Sequence, residues 1–213
     1  MSRITILGGT GYTGSNIARE AVARGHEVIS FSRHAPESAI EGVRYRTGSM
    51  SAELPDLVSS ADVVIGALAP RAELATGLTD VYATLAKLAA QAATRIGIVG
   101  GFSALRPAPD APRMAYGDDV PPQFATEARV MAEVIDELSA SAPTGLDWFY
   151  ASPAATYGSY APGEDRGTYR TGGEVAIFDA SGSSAISGVD FARAILDEIE
   201  APSHTRSQFG VAY

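Results

Sequence analysis

Three glycines at the spacing G-x-x-G-x-x-G, namely Gly8, Gly11 and Gly14 in RITILGGTGYTGSN, follow a short apolar run and open a helical pattern. Each glycine meets a different need of a phosphate cradle. The first permits the tight turn, the second lets a pyrophosphate approach the backbone, and the third lets the helix pack closely on the strand. A helix starting there offers unpaired N–H donors and the positive end of its dipole. The hydroxyls of Thr10 and Thr13 could add donors. The chemistry is that of holding a dinucleotide; the alternative is a structural turn without a ligand.

The choice of dinucleotide turns on the end of the second strand, where an acid would accept the ribose hydroxyls of NAD. This chain reads SFSRH there, with no acid. Arg33 is placed to meet a 2′-phosphate, with Ser32 or His34 helping, and cation–phosphate pairing at that position implies NADP. Otherwise Arg33 is a solvated loop arginine. The adenine would lie near Gly48, Ser49 and Met50.

Several chemistries are excluded or disfavoured. The chain has no cysteine, so disulfides, thiolate nucleophiles and cysteine-held metals are absent. Its three histidines, His26, His34 and His204, are dispersed, and no carboxylate pair stands out. A net charge of −9 argues against nucleic acid or an anionic membrane as partner. No stretch approaches the roughly 20 apolar residues of a membrane span. MSRITILGG reads as a strand start rather than a signal peptide. A soluble cytoplasmic protein with a small-molecule partner is expected. Monomer and homodimer both stay open, because an apolar helix face serves either.

The elements that must position these residues alternate. Apolar runs at RITILG, HEVISFSR, GVRYRTGSM, ADVVIGAL, RIGIVGG and LDWFYASP read as strands. Helical spacing appears in GSNIAREAVARG, LTDVYATLAKLAAQAA and PPQFATEARVMAEVIDELSAS, with a short turn or helix at 51–58. The alternation predicts an α/β fold with a doubly wound parallel sheet, a Rossmann fold. After Pro153 the chain turns Gly- and Tyr-rich. EVAIFDASGSSAIS predicts a hairpin around Gly182, then come a helix over GVDFARAILDEIEAP and a last strand QFGVAY. One NAD(P)-binding domain is expected, with a dinucleotide-binding core over 1–153 and a small C-terminal substrate lobe over 154–213.

The glycine loop resembles that of the short-chain dehydrogenase/reductase superfamily, whose usual Tyr-x-x-x-Lys pair passes a proton. The sole lysine here is Lys87, with Ala83 four residues before it and Tyr82 five before. The helix that would carry the pair reads FATEARVMAE, so no such relay is expected. With GGTGYTGSNIAREAVARGHEV and GEDRGTYRTGG, then Asp179, SAIS, Asp190 and P-x-H, the chain resembles the atypical short-chain reductases called NADH-flavin reductases or NAD(P)-binding epimerase-like proteins. Biliverdin reductase B is a more distant likeness.

Position by position, this resemblance implies a cofactor on Gly8, Thr10, Gly11, Tyr12, Thr13 and Gly14. Ala67, Leu68 and Ala69 would lie beside the ribose, Gly100, Gly101, Phe102 and Ser103 near the nicotinamide, and Pro153 and Ala154 after the sixth strand. Many relatives carry an acid where Ser49 stands. Phe102 stands where relatives often have small residues, and it could line the acceptor pocket.

Three residues are candidates for the reacting end. Ser103 could bond the carboxamide or the acceptor, or cap a turn. Tyr116 in PRMAYGDD could wall the pocket or lie on the surface. Tyr157, with Tyr160, could stack on a flat acceptor or anchor its loop. Arg166 and Arg170 could pair an acidic acceptor, or form salt bridges with Glu164 and Asp165. A site without the relay suits hydride transfer from NADPH to a flavin such as FMN, a quinone or a similar conjugated acceptor, which takes its proton from water. The rival readings are a non-catalytic NADP-binding redox sensor and, third, an isomerase or dehydratase using another base.

Overall fold

The fold was taken from a computed structural model, which describes residues 1–71 and 74–213. Eight strands form one sheet: β1 (Arg3–Leu7), β2 (Glu27–Ser32), β3 (Val43–Thr47), β4 (Val63–Gly66), β5 (Arg95–Val99), β6 (Trp148–Pro153), β7 (Arg170–Thr171) and β8 (Ser207–Ala212). Their order is β3-β2-β1-β4-β5-β6-β8-β7. All pairs are parallel except β7 with β8. The order reverses between β1 and β4, and this switch point is where a doubly wound sheet opens a crevice beyond its strand ends.

Five helices cover the sheet: α1 (Tyr12–Ala23), α2 (Met50–Ser59), α3 (Leu78–Ala92), α4 (Pro122–Ser141) and α5 (Gly188–Glu200). One face carries α1 and α5, with Ile17, Ala21, Phe191 and Ile195 in a common core. The other carries α2, α3 and α4, with Leu57, Leu85 and Ile135. A parallel sheet covered on both faces needs strands that are apolar throughout. Accordingly every residue of β4 and β6 is buried. Pro122 starts α4, where its missing N–H costs nothing.

The expected doubly wound sheet is present. Within residues 154–213, α5 and β8 extend the main sheet and share its core, since β8 lies parallel to β6. The hairpin expected around Gly182 does not form. Val175 bridges to Arg106 and Ala185 to Thr156, so the two arms find partners in other segments. Only the turn survives, closed by a bond from the Asp179 N–H to the Ser183 carbonyl (2.8 Å). Strand β7, on the edge of the sheet, lies in the Gly- and Tyr-rich segment after Pro153, where the sequence pattern predicts no strand. Among the described residues no helix is long and apolar enough to cross a membrane.

Candidate functional site

The glycine loop joins three strands at the switch point. The Gly8 N–H donates to the Phe31 carbonyl of β2 (2.8 Å), and the Ala67 N–H after β4 donates to Leu7 of β1 (2.8 Å). Gly8 has φ +82°, and a Cβ there would lie 2.4 Å from the Ala67 carbonyl oxygen. A Cβ on Gly14 would lie 2.3 Å from the Gly8 carbonyl oxygen. Both positions therefore require glycine. The result is a backbone turn that presents amides, not side chains.

The loop's own N–H groups are bonded within the protein, whereas the first amides of the helix that follows are not, among the described residues. Gly11 caps α1 without a side-chain bond, and the first turn carries no acid. The N–H groups of Tyr12, Thr13 and Gly14 meet no acceptor among the described residues. Such an N-terminus suits an anion and fits a dinucleotide phosphate. Thr10 is drawn to the end of β2, its N–H and hydroxyl donating to Ser32 Oγ at 3.2 and 2.9 Å.

Beside the loop lies a cavity of about 660 Å³. It gathers eleven of the residues expected from sequence: Gly8, Thr10, Gly11, Ser32, Arg33, Gly48, Ser49, Met50, Ala67, Leu68 and Ala69. His34 joins them. Sequence reasoning missed Arg71, Asp80 and Thr84, which line the far wall. Asp80 and Thr84 sit four apart on α3, a helix read only for its apolar stripe, and Arg71 forms a two-pronged ion pair with Glu127 (3.0 Å).

The other expected residues stand outside this cavity, at neighbouring strand ends. Tyr12, Thr13 and Gly14 form the first turn of α1. Gly101 and Phe102 follow β5, and the Phe102 ring meets the half-exposed Phe178 edge-on at 6.1 Å. Pro153 ends β6 and Ala154 is buried beside it.

The three candidates for the reacting end are held by different elements, and no hydrogen bond or ring contact joins them. Ser103 lies half-buried in the short 3-10 turn after β5, its hydroxyl without a partner among the described residues. The Tyr116 hydroxyl donates to Asp136 of α4 (2.8 Å), and burial together with that carboxylate pushes the phenol up to about 12. Tyr157 bonds Thr13 of α1 (2.7 Å), and burial raises its phenol well above the ordinary value.

Behind the β5 turn runs a polar chain that the sequence did not signal. Arg113 is buried and donates to Asp136 (2.7 Å), to the Ala104 carbonyl (2.6 Å) and to Gln208 (2.6 Å), which donates to Ser152 (2.9 Å). It ties the loop after β5 to β6, β8 and α4. The salt bridges expected of Arg166 and Arg170 are replaced by other contacts. Arg166 stacks on Tyr213 (4.0 Å), Arg170 bonds the carbonyls of Phe178 and Tyr213, and Asp165 pairs with Arg193 (3.0 Å). Lys87 is exposed on α3, beside a separate cavity of about 350 Å³.

A family model described as NAD(P)H-binding matches residues 8–202. The chain belongs to the NAD(P)H-binding family. The matched segment starts on Gly8 and runs past α5, so this NAD(P)H-binding chain carries its family likeness over both sheet and loops. It is similar to the protein YwnB of Bacillus subtilis, 28% identical over 215 residues, covering 98% of this chain and 97% of YwnB. Among solved structures it is similar to a "putative NADH-flavin reductase" from Streptococcus pneumoniae, with 27% identity and a TM-score of 0.85 over 100% of this chain and 99% of that one. A "putative epimerase" from Bacteroides thetaiotaomicron shares 30% identity with a TM-score of 0.86, over 99% and 96%.

Proposed function

We propose that the protein is an NADPH-preferring reductase that passes hydride to a flavin, quinone or similar conjugated acceptor without a Tyr-x-x-x-Lys relay. The observation that carries this reading is the crevice at the switch point, in which uncapped amides stand beside a cavity rimmed by Ser32, Arg33 and His34 with no acid at the end of β2. The likeness to a "putative NADH-flavin reductase" supports the acceptor class.

In this reading the Tyr12 and Thr13 amides hold the pyrophosphate, and Arg33 holds the 2′-phosphate by charge-assisted bonds. Ser49 and Met50 border the adenine, and Ala67–Ala69 the ribose. Ser103 orients the carboxamide, while Phe102 and Phe178 give a flat acceptor an apolar wall. When bound, NADPH supplies the hydride. The acceptor takes its proton from water, so the chain need only hold the two partners together and exclude competing geometries. Tyr116, bonded to Asp136, borders the site rather than feeding it a proton. The acceptor and cofactor are then the only partners the activity requires, in a soluble, cytoplasmic protein.

The test is NADPH oxidation, followed by its absorbance, with FMN, quinones and dyes as acceptors. Turnover with at least one acceptor, faster from NADPH than from NADH, is the expected result. Tight NADPH binding without turnover across the panel would replace the reading with that of a redox sensor.

A further inference from the structure

We propose that Tyr157 is a positioning residue for the cofactor phosphates, acting through the Thr13 hydroxyl. This rests on the proposed dinucleotide site. Tyr157 lies in the loop after β6, far along the chain from the glycine loop, yet its hydroxyl sits 2.7 Å from Thr13 Oγ1. Neither hydroxyl has another partner among the described residues. The phenol ring is wedged between Tyr12 (centroids 5.6 Å apart) and Phe191 (5.0 Å), both edge-on. The segment is latched once more where the Tyr12 hydroxyl donates to the Pro162 carbonyl (3.3 Å).

The direction of the bond follows from what each group can reach. A phenol has one proton, and Thr13 is the acceptor available to it. If Thr13 donated instead, the wedged phenol would keep its proton without an acceptor, the costlier arrangement. In the proposed arrangement Tyr157 donates. Thr13 Oγ1 then accepts, and its own proton is left to point elsewhere. The unsatisfied side of that turn is the uncapped N-terminus of α1, where the Tyr12, Thr13 and Gly14 amides also lack acceptors. Tyr157 thus fixes Thr13 as one more donor to an anion held by this turn, and links the loop after β6 to the occupancy of the glycine loop.

The experiment measures NADPH affinity by fluorescence titration, and thermal stability without ligand, for wild type, Tyr157→Phe, Thr13→Val and the double variant. Tyr157→Phe keeps the ring packing and removes only the donor. Roughly five- to tenfold weaker NADPH binding is expected for each single variant, as for loss of a bond to a charged group. The double variant is expected to bind no worse than Thr13→Val alone, because the two residues act as one unit. Adenosine 2′-monophosphate, which lacks the bridging phosphates, should bind the wild type and Tyr157→Phe equally. A Tyr157→Phe protein that binds NADPH within twofold of wild type would overturn the proposal and leave Tyr157 as a loop anchor. A penalty equal for both ligands would overturn it too. A wild type that binds no nicotinamide dinucleotide would instead remove the reading on which the proposal rests.

Discussion

Helices α1 and α5 lie side by side on one face of the sheet, and their N-termini nearly touch: a Cβ on Gly188 would come within 2.5 Å of the Tyr12 hydroxyl. Yet the two ends are finished in opposite ways. At α5, Ser187 Oγ accepts from the Asp190 N–H (3.0 Å), and the Asp190 carboxylate takes further bonds from the Arg166 and Gly167 amides and from Tyr213. At α1, glycine caps without a side chain and three amides stay unmet among the described residues. The far end of α5 is saturated too, where buried Glu198 binds Arg95 (2.6 Å), His204 (2.7 Å) and Ser203 (2.8 Å). One helix is built for stability. The other leaves stabilising bonds unmade at the place where a ligand would complete them.

The sharpest way to break this contrast is Gly14→Ala. The added Cβ would strike the Gly8 carbonyl oxygen at 2.3 Å and the Gly9 Cα at 2.7 Å, both backbone atoms with no room to give. NADPH affinity in a fluorescence titration should fall by at least about 100-fold, nearly 3 kcal/mol. A variant that binds like wild type would show that the turn does not form the cradle.

Glu198→Gln attacks the opposite pole. Leaving Arg95 and His204 without a carboxylate should lower unfolding stability by about 3 kcal/mol in urea denaturation, with cofactor affinity unchanged. The same residue sets an acid limit. Burial alone would raise its pKa, but bonds from His204, Arg95 and Ser203 outweigh this and lower it from 4.5 to about 2. A depressed carboxylate pKa stabilises the folded state above 4.5, and that contribution drains away as pH falls toward 2. Roughly 3 to 4 kcal/mol is at stake, from roughly 1.4 kcal/mol per unit. In Glu198→Gln the pH dependence of unfolding over that window should flatten.

Arg33→Ala is a smaller and more selective test. NADPH binding should weaken by roughly tenfold to thirtyfold through loss of the charged contact, while NADH binding stays constant. Its melting temperature should hardly move, because Arg33 is an exposed loop residue. Equal losses for both dinucleotides would sever Arg33 from the 2′-phosphate.

The same contrast explains what could be read from the sequence. Gly8 and Gly14 were legible because close approach leaves a choice of one residue type, and the place of Arg33 at the cavity because it abuts the end of an apolar strand. Periodicity found four of the five helices for the same reason, since a buried stripe must repeat, and left 51–58 open between turn and helix where α2 forms. Arg113 and Gln208 were opaque, since a buried arginine looks like any loop arginine until its acceptors, Asp136 and the Ala104 carbonyl, are brought to it from afar. Asp80 and Thr84 were lost on the polar side of an amphipathic helix. The false hairpin arose from short polar-flanked arms whose partners, Arg106 and Thr156, lie outside the local pattern.

The least disruptive test returns to the two neighbouring helix ends. Ser187→Ala removes the oxygen that accepts from the Asp190 N–H, and with it a hydroxyl that donates to the Asp190 carboxylate (3.1 Å). A lost N-cap costs about 1 kcal/mol, so the urea midpoint should fall with no change in its slope. Asp190 keeps its bonds from Tyr213, Arg166 and Gly167, which holds the loop beside α5 in place. NADPH affinity should therefore remain that of wild type, although Gly188 lies against Tyr12. A fall in affinity as large as the fall in stability would mean that the capped and uncapped ends work as one unit, and the division of labour between α1 and α5 would have to be abandoned.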